Sequence, residues 1–196
     1  MSEITKQALA TSFKELLEKR HISKITVKDI VEICGVNRQT FYYHFRDVYD
    51  LLAYTYTYEI TKYFDEKGID FDNPDINVAI KALFYFFLEN KTPILNSYDS
   101  EHRVQYEEII RILITPVVLN KINSFSDKEN ISDDMKIFVA NFYVYACCGF
   151  ILKWIEEGLP DRFVVHIDYY SAIINGSLET LLNKLMDASS SATNTP

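Results

Sequence analysis

Between Asn37 and Arg46 the chain gathers Arg38, Gln39, Thr40, Tyr42, Tyr43 and His44 into one short run, interrupted only by Phe41 and Phe45. These side chains suit recognition of a nucleic-acid duplex. Arg pairs bidentately with a guanine edge and Gln with an adenine edge, while Thr and Tyr suit phosphate oxygens or a thymine methyl group. Phe41 and Phe45 are four residues apart, hence on one helical face. If that face meets a core, the polar members are left for the opposite face and its flanks. The bland alternative is packing plus a solvated face, and it must explain the neighbouring residues as well.

Other chemistry is poorly provided for. His21, His44, His102 and His166 lie in separate segments, and no HExxH, GxSxG or Gly-rich phosphate loop occurs. The three cysteines, Cys34, Cys147 and Cys148, form neither a disulfide framework nor a CxxC pair. Cys147 and Cys148 fall mid-helix and read as core. Asp133-Asp134 and Glu107-Glu108 read as solvated faces. No catalytic residue, metal site or cofactor is implied, and an enzyme is disfavoured.

The elements around the polar run are punctuated clearly. Ile4, Leu9, Phe13, Leu16 and Leu17 share a face over 4–17, and the segment 21–24 breaks that helix. Thr26 and Asp29 have capping-box spacing for a helix over 27–34, which should bury Val27, Ile30, Val31 and Cys34. Gly35 ends it, being the residue that tolerates a left-handed turn. Asn37 is an N-cap for a helix over 38–45, and Asp47 with Asp50 repeats the signal for a longer helix to about 67. Two short helices about a Gly-containing turn predict a helix-turn-helix, in which one helix projects and the other braces it.

Downstream, a polar stretch over 68–73 and the pair Asn73-Pro74 predict a seam. Asp75 caps a helix over 76–90, followed by a short turn over 93–97. A helix over 101–125 should kink or end at Pro116. A polar loop is expected over 126–134, an apolar helix over 135–157 stopped by Gly158, a last helix over 162–186, and a disordered tail over 188–196. The expected domains are thus a head over 1–50 running into a connecting helix at about 47–67, and a body over 68–187.

Composition agrees with an all-α fold. Only five Gly and five Pro occur in 196 residues, too few for a chain that turns every ten residues, and 48% hydrophobic residues supply a core. No signal peptide and no run of about 18 apolar residues is evident, so a reducing cytoplasm and no membrane are expected. The net charge of −8 argues against nucleic acid until it is divided. Residues 1–50 hold eight Lys and Arg against seven Asp and Glu, leaving twelve against twenty-one in the remainder. A neutral-to-basic head on an acidic body suggests two tasks on one chain.

The segment from Thr26 to Asp47, Thr-Val-Lys-Asp-Ile-Val-Glu-Ile-Cys-Gly-Val-Asn-Arg-Gln-Thr-Phe-Tyr-Tyr-His-Phe-Arg-Asp, resembles the DNA-binding head of TetR/AcrR-family transcription regulators. The resemblance implies an all-helical homodimer on a palindromic double-stranded DNA operator. It also implies a variable body that binds a small-molecule effector or a partner protein. By position, it assigns Arg38, Gln39 and Thr40 to bases or phosphates, and Tyr42 and His44 to the phosphate backbone. Lys28 and Thr26 match phosphate positions near the bracing helix, with Asn37, Tyr43 and Arg46 completing the surface. One departure stands out: Val48 occupies a place where many members have a phosphate-gripping Lys. Amides at that helix N-terminus could still bind an anion, and Arg46 could substitute.

In the body, aromatic residues suit either a packed core or a pocket; Tyr106, Tyr143 and Trp154 are the candidate ligand contacts. The helix over 135–157 is apolar on most sides and, with the last helix, would form an isologous four-helix interface with a symmetry mate. The stretch from Gly149 to Pro160, with its small residues, Trp154 and Gly158, resembles the end of this helix in the DhaS-like branch of the family. A second functional class is a coactivator that keeps the fold without binding DNA. Val48 favours it; the Arg38–Arg46 surface opposes it.

Overall fold

A computed structural model describes residues 2–70, 75–126 and 131–192. Among these residues the fold is all-α, with nine α-helices and three short 3-10 turns. The head comprises α1 (Ser2–Leu17), α2 (Val27–Cys34) and α3 (Arg38–His44). Helix α4 (Val48–Glu66) leads into α5 (Ile76–Glu89), α6 (Lys91–Ser97), α7 (Arg103–Ser126), α8 (Asp133–Glu156) and α9 (Ile167–Ala192).

The punctuation of the head forms as its residues dictate. Thr26 Oγ1 accepts from the Asp29 amide at 3.3 Å, and the Thr26 amide donates back to Asp29 Oδ2 at 2.8 Å. Two donors that the first helical turn leaves without partners are thereby satisfied. Gly35 adopts φ +73°, the left-handed conformation a Cβ would disfavour, and reverses the chain after α2. Asn37 Oδ1 then accepts from the Thr40 amide at 2.8 Å and starts α3.

Helix α4 joins head to body. Leu51 and Leu52 are buried near α1, and Ile60 and Phe64 are buried further along. Tyr56 is buried where α4, α6 and α7 meet, its hydroxyl 2.6 Å from Ser97 Oγ, which lies 3.2 Å from Tyr106 Oη. Burial pushes the Tyr56 phenol well above its ordinary value and that of Tyr106 to about 12, so both remain neutral hydrogen-bonding groups. In the body, α7 packs along α8, and α5 packs against α9 and α7. Ser171 of α9 donates to Asn77 Oδ1 of α5 at 2.8 Å.

Several expectations need correction. Pro116 neither ends nor divides α7, because burial of Leu113, Ile114, Val117 and Val118 holds the helix through it. The turn expected at 93–97 is the helix α6, in which Pro93 occupies the first turn, where a missing amide costs no intrahelical bond. Helix α8 starts at Asp133, capped by Ser132, so the loop ends earlier than expected. Acidic Asp133 and Asp134 suit the positive end of that helix. Residues 161–166 form a 3-10 turn before α9, which continues to Ala192 across much of the expected tail. The seam at Asn73-Pro74, the loop centre at 127–130 and residues 193–196 lie outside the described residues. Helix α8 also contains an 18-residue window of mean hydropathy 1.6, long and apolar enough by composition to cross a membrane. Of that window 39% is buried, Val139, Tyr143, Val144, Cys148 and Leu152 among it, packed within the body.

The capping box makes a measurable contribution. Thr26→Ala should cost about 1 kcal/mol and lower the melting temperature by roughly 2–4 °C. Hydrogen bonds from Thr26 hold the Asp29 carboxyl below its ordinary value of 3.8. Its stabilisation is therefore present above that value and lost as pH falls through the lower folded one. Thermal melts of Asp29→Asn should show a weaker decline over that acid range than the parent; an identical decline would remove Asp29 from the account.

Candidate nucleic-acid interface

Phe41 is fully buried and Phe45 nearly so, their rings 5.9 Å apart and tilted. They fasten α3 to the head core and fix its rotation about its own axis. Gln39, Tyr42 and Tyr43 consequently project to solvent, with Tyr42 53% and Tyr43 81% exposed, and Arg38 is exposed beside them at the first position of the helix. Large aromatics left in water on a helix held so firmly are available for a partner surface. Thr40 and His44 are half-buried on the flanks, and the His44 ring meets that of Tyr43 edge-on at 4.9 Å.

Other sequence-predicted contacts have internal partners. The Thr26 hydroxyl donates to Asp29 Oδ2 at 2.6 Å, so both its donors engage the capping box. Asn37 Oδ1 receives both the amide and hydroxyl of Thr40. Lys28 pairs with Glu32 at 3.6 Å and Arg46 with Asp50 at 3.6 Å, both between exposed cationic side chains and their i+4 carboxylates. Such contacts contribute only about 0.3–0.5 kcal/mol, so a phosphate can displace them.

The start of α4 departs from expectation. Asp47 Oδ1 accepts from the amides of Tyr49 and Asp50, each at 2.8 Å, and Asp50 Oδ2 accepts from the Arg46 amide at 2.9 Å. The position at which amides could have held an external anion is thus occupied by the chain's own carboxylates. Val48 is half-buried against the core, which gives its apolar character a packing role.

A second contact zone links the head to the segment 96–102. His21 Nδ1 accepts from the Ser23 amide, leaving Nε2–H to donate to the Tyr98 carbonyl at 2.8 Å. Asn96 donates to the Leu17 carbonyl at 2.7 Å. Tyr49 stacks on His102 with centroids 4.4 Å apart and donates to Asp99 at 3.5 Å. Burial, followed by the Asp99 charge, raises the Tyr49 phenol to about 12, which keeps it a donor. These contacts tie the end of α6 and the segment after it to the end of α1, the turn that follows α1 and the start of α4.

The expected ligand contacts fall elsewhere than the cavity present in the body. Tyr106 is enclosed with Ser97, Tyr143 donates to Ser177 at 3.1 Å, and Trp154 donates to the Pro160 carbonyl at 3.3 Å. Trp154 also packs on Phe84 and fastens the turn in which Gly158 has φ +81°. An open cavity of about 200 Å³ lies among α5, α7, α8 and α9, with walls that include Leu83, Phe84, Phe150 and Tyr170 rather than those three. At helical spacing such residues look like core in the sequence, and nothing in the pattern separates a wall from a filled interior.

Comparison with known proteins agrees with this architecture. Residues 14–55 match the family described as "Bacterial regulatory proteins, tetR family", and residues 75–176 match "Transcriptional regulator C-terminal region". The HTH-type dhaKLM operon transcriptional activator DhaS of Lactococcus lactis subsp. lactis is 27% identical over 169 residues, spanning 80% of this chain and 82% of that protein. A solved structure described as dihydroxyacetone kinase operon activator DhaS has the same fold, with a TM-score of 0.61 and 20% identity over 92% of this chain and 97% of that one. The helix-turn-helix head and the regulator-type body place this chain in the TetR family of transcription regulators, outside the enzymes.

Proposed function

We propose that two copies of this chain bind a palindromic operator, each laying α3 in a major groove, and that the body sets the affinity of the pair for DNA. The observation that carries this reading is the outward face of α3, where Arg38, Gln39, Tyr42 and Tyr43 stand on a helix fastened by Phe41 and Phe45. Arg38 and Gln39 read base edges in this account, while Thr40, Tyr42, Tyr43 and His44 hold phosphates or sugars. Lys28 and Arg46 reach the backbone after releasing their carboxylates. Thr26 and Asn37 act through the helix starts they cap. The head over residues 1–50 reads DNA, the rest assembles and regulates, and the site of action is the cytoplasm. The Lactococcus relative is an activator, and we take activation as the sign of regulation here too.

The dimer reading is supported by a continuous apolar stripe. On α8, Met135, Phe138, Phe142 and Tyr145 are exposed at alternating spacings of three and four, with Phe138 67% and Phe142 62% in water. On α9, Tyr169 and Ile173 are likewise exposed. Gly149 and Gly176 continue the two rows, and nothing lies within 4 Å of where a Cβ would stand on either. Large side chains flanked by bare backbone suit close approach of two such helix pairs about a twofold axis. Paired heads would then address major grooves about 34–36 Å apart, one turn of duplex. The contacts at 96–102 supply the route by which the body alters that spacing.

Two measurements decide the matter. Arg38→Ala combined with Tyr42→Ala should weaken binding to the palindrome nearest the protein's own gene by at least tenfold, on the scale of lost base and phosphate contacts. The parent's logarithmic affinity should fall linearly with logarithmic salt. Equal retention of parent and double variant, with no salt dependence, favours the coactivator reading. Separately, Phe142→Glu should convert a dimer to a monomer in light scattering while preserving the helical circular dichroism signal. A parent already monomeric at micromolar concentration would sink the paired-head geometry.

A further inference from the structure

We propose that Gln39 and Tyr43 determine which operator sequence is chosen: Gln39 reads an adenine in each half-site, and the Tyr43 ring covers the methyl group of a thymine close to it. The inference rests on the DNA-binding reading above and deepens it, from contact with base edges to the identity of the bases. At 3.6 residues per turn, Tyr43 stands about 180° and Gln39 about 140° around α3 from the direction shared by the buried Phe41 and Phe45, farther than any other residue of the helix. Four residues apart, they lie one above the other on a single face. Their separation along the axis is about 6 Å, a little under two base-pair steps.

The neighbours on α3 are committed elsewhere. Asn37 Oδ1 receives both the amide and the hydroxyl of Thr40. The Tyr42 ring packs edge-on against Phe41 with centroids 5.4 Å apart, which holds it to the flank. Arg38 stands at the first position, about 100° around the helix from Gln39. Gln39 is exposed and has no hydrogen-bond partner among the described residues. Its carboxamide therefore keeps an acceptor oxygen and a donor nitrogen free side by side.

That pair selects its base. In the major groove adenine sets an N6 donor beside the N7 acceptor, whereas guanine shows two acceptors, cytosine a donor and thymine an acceptor with a methyl group. Adenine alone engages both ends of the carboxamide; against guanine the Gln39 oxygen meets a second acceptor. Tyr43 is 81% exposed, and its ring meets only the edge of His44 among the aromatic groups described. It brings apolar surface to the same stretch of groove, where the thymine methyl is the apolar group on a base edge. Its hydroxyl is left for the sugar–phosphate edge. Once docked, the ring shields the carboxamide from water, so a wrong base leaves a desolvated donor or acceptor without a partner.

The test uses the full chain and the duplex it retains from a pool of randomised sequence. Each adenine of that duplex is replaced in turn, in both half-sites together, by 7-deazaadenine, which keeps Watson–Crick pairing and lacks N7. Each thymine is likewise replaced by deoxyuridine, which lacks only the methyl group. One adenine replacement should cost the parent about tenfold or more in affinity. Gln39→Ala should bind the natural duplex more weakly and be indifferent to that replacement, and Gln39→Arg should move the preference there to guanine. A thymine within two base pairs should show a loss of about threefold to fivefold that persists in Tyr43→Phe and vanishes in Tyr43→Ala. All these side chains are exposed, and circular dichroism checks that the variants keep their helices. A Gln39→Ala protein as sensitive as the parent at every adenine overturns the assignment, as does a methyl effect that survives Tyr43→Ala. Retention of a duplex with neither base effect removes this inference and leaves the DNA reading standing; a parent that retains no duplex removes both.

Discussion

The structure depends on the insertion of Phe41 beneath α3. One fully buried ring fixes the rotation of a seven-residue helix that could not hold its shape alone, since isolated helices of that length are unstable in water. Removing such a ring typically costs about 3–5 kcal/mol in a core, far more than any surface ion pair in the head contributes. Everything displayed by α3 follows from that anchor. With Phe41 and Phe45 inward, the helical period turns Gln39, Tyr42 and Tyr43 outward, while Arg38 is exposed by its place at the first position of the helix. The caps at Thr26 and Asn37 and the left-handed Gly35 then fix the crossing of α2 and α3.

The head is joined to the body by more than a continuous helix. Leu51, Leu52 and Tyr56 extend the core along α4, and the segment 96–102 returns to touch α1, the following 3-10 turn and α4 through His21, Asn96, Asp99 and His102. The hydroxyl group of Tyr56 lies in a buried chain with Ser97 and Tyr106, so α4, α6 and α7 share one polar node. Groups buried in this way tolerate little displacement, because an unmade bond there leaves desolvated oxygen. That rigidity ties the head firmly to the body.

Legibility in the sequence followed the range of the forces. Caps, glycine turns and four-residue aromatic spacing act within one or two helical turns, and the head elements they define appear where those residues place them. Pro116 shows the opposite case: a local rule predicts an interruption, but burial of Leu113, Ile114, Val117 and Val118 against distant helices overrides it. The start of α8 was legible in principle from Ser132 followed by two aspartates. The cavity was not. Phe84, Phe150 and Tyr170 come from three helices, and a void is a property of how volumes fail to meet, which no pattern in one segment records. For the same reason Tyr106 and Trp154, promising by type, turn out to have structural partners.

The carboxylates at the start of α4 bear on how a head searches a chromosome. Asp47 and Asp50 already satisfy amides at that helix end, and Val48 brings no cation. In the DNA-bound state proposed above, fewer condensed counterions are liberated per head on a random stretch of duplex, which weakens indiscriminate sticking. In that reading an acidic body adds long-range repulsion, and residence at the correct site falls chiefly to Arg38 and Gln39, the proposed base contacts. Such a molecule trades speed of capture for freedom from decoys, an advantage when target copies are scarce among a genome's worth of competing sequence.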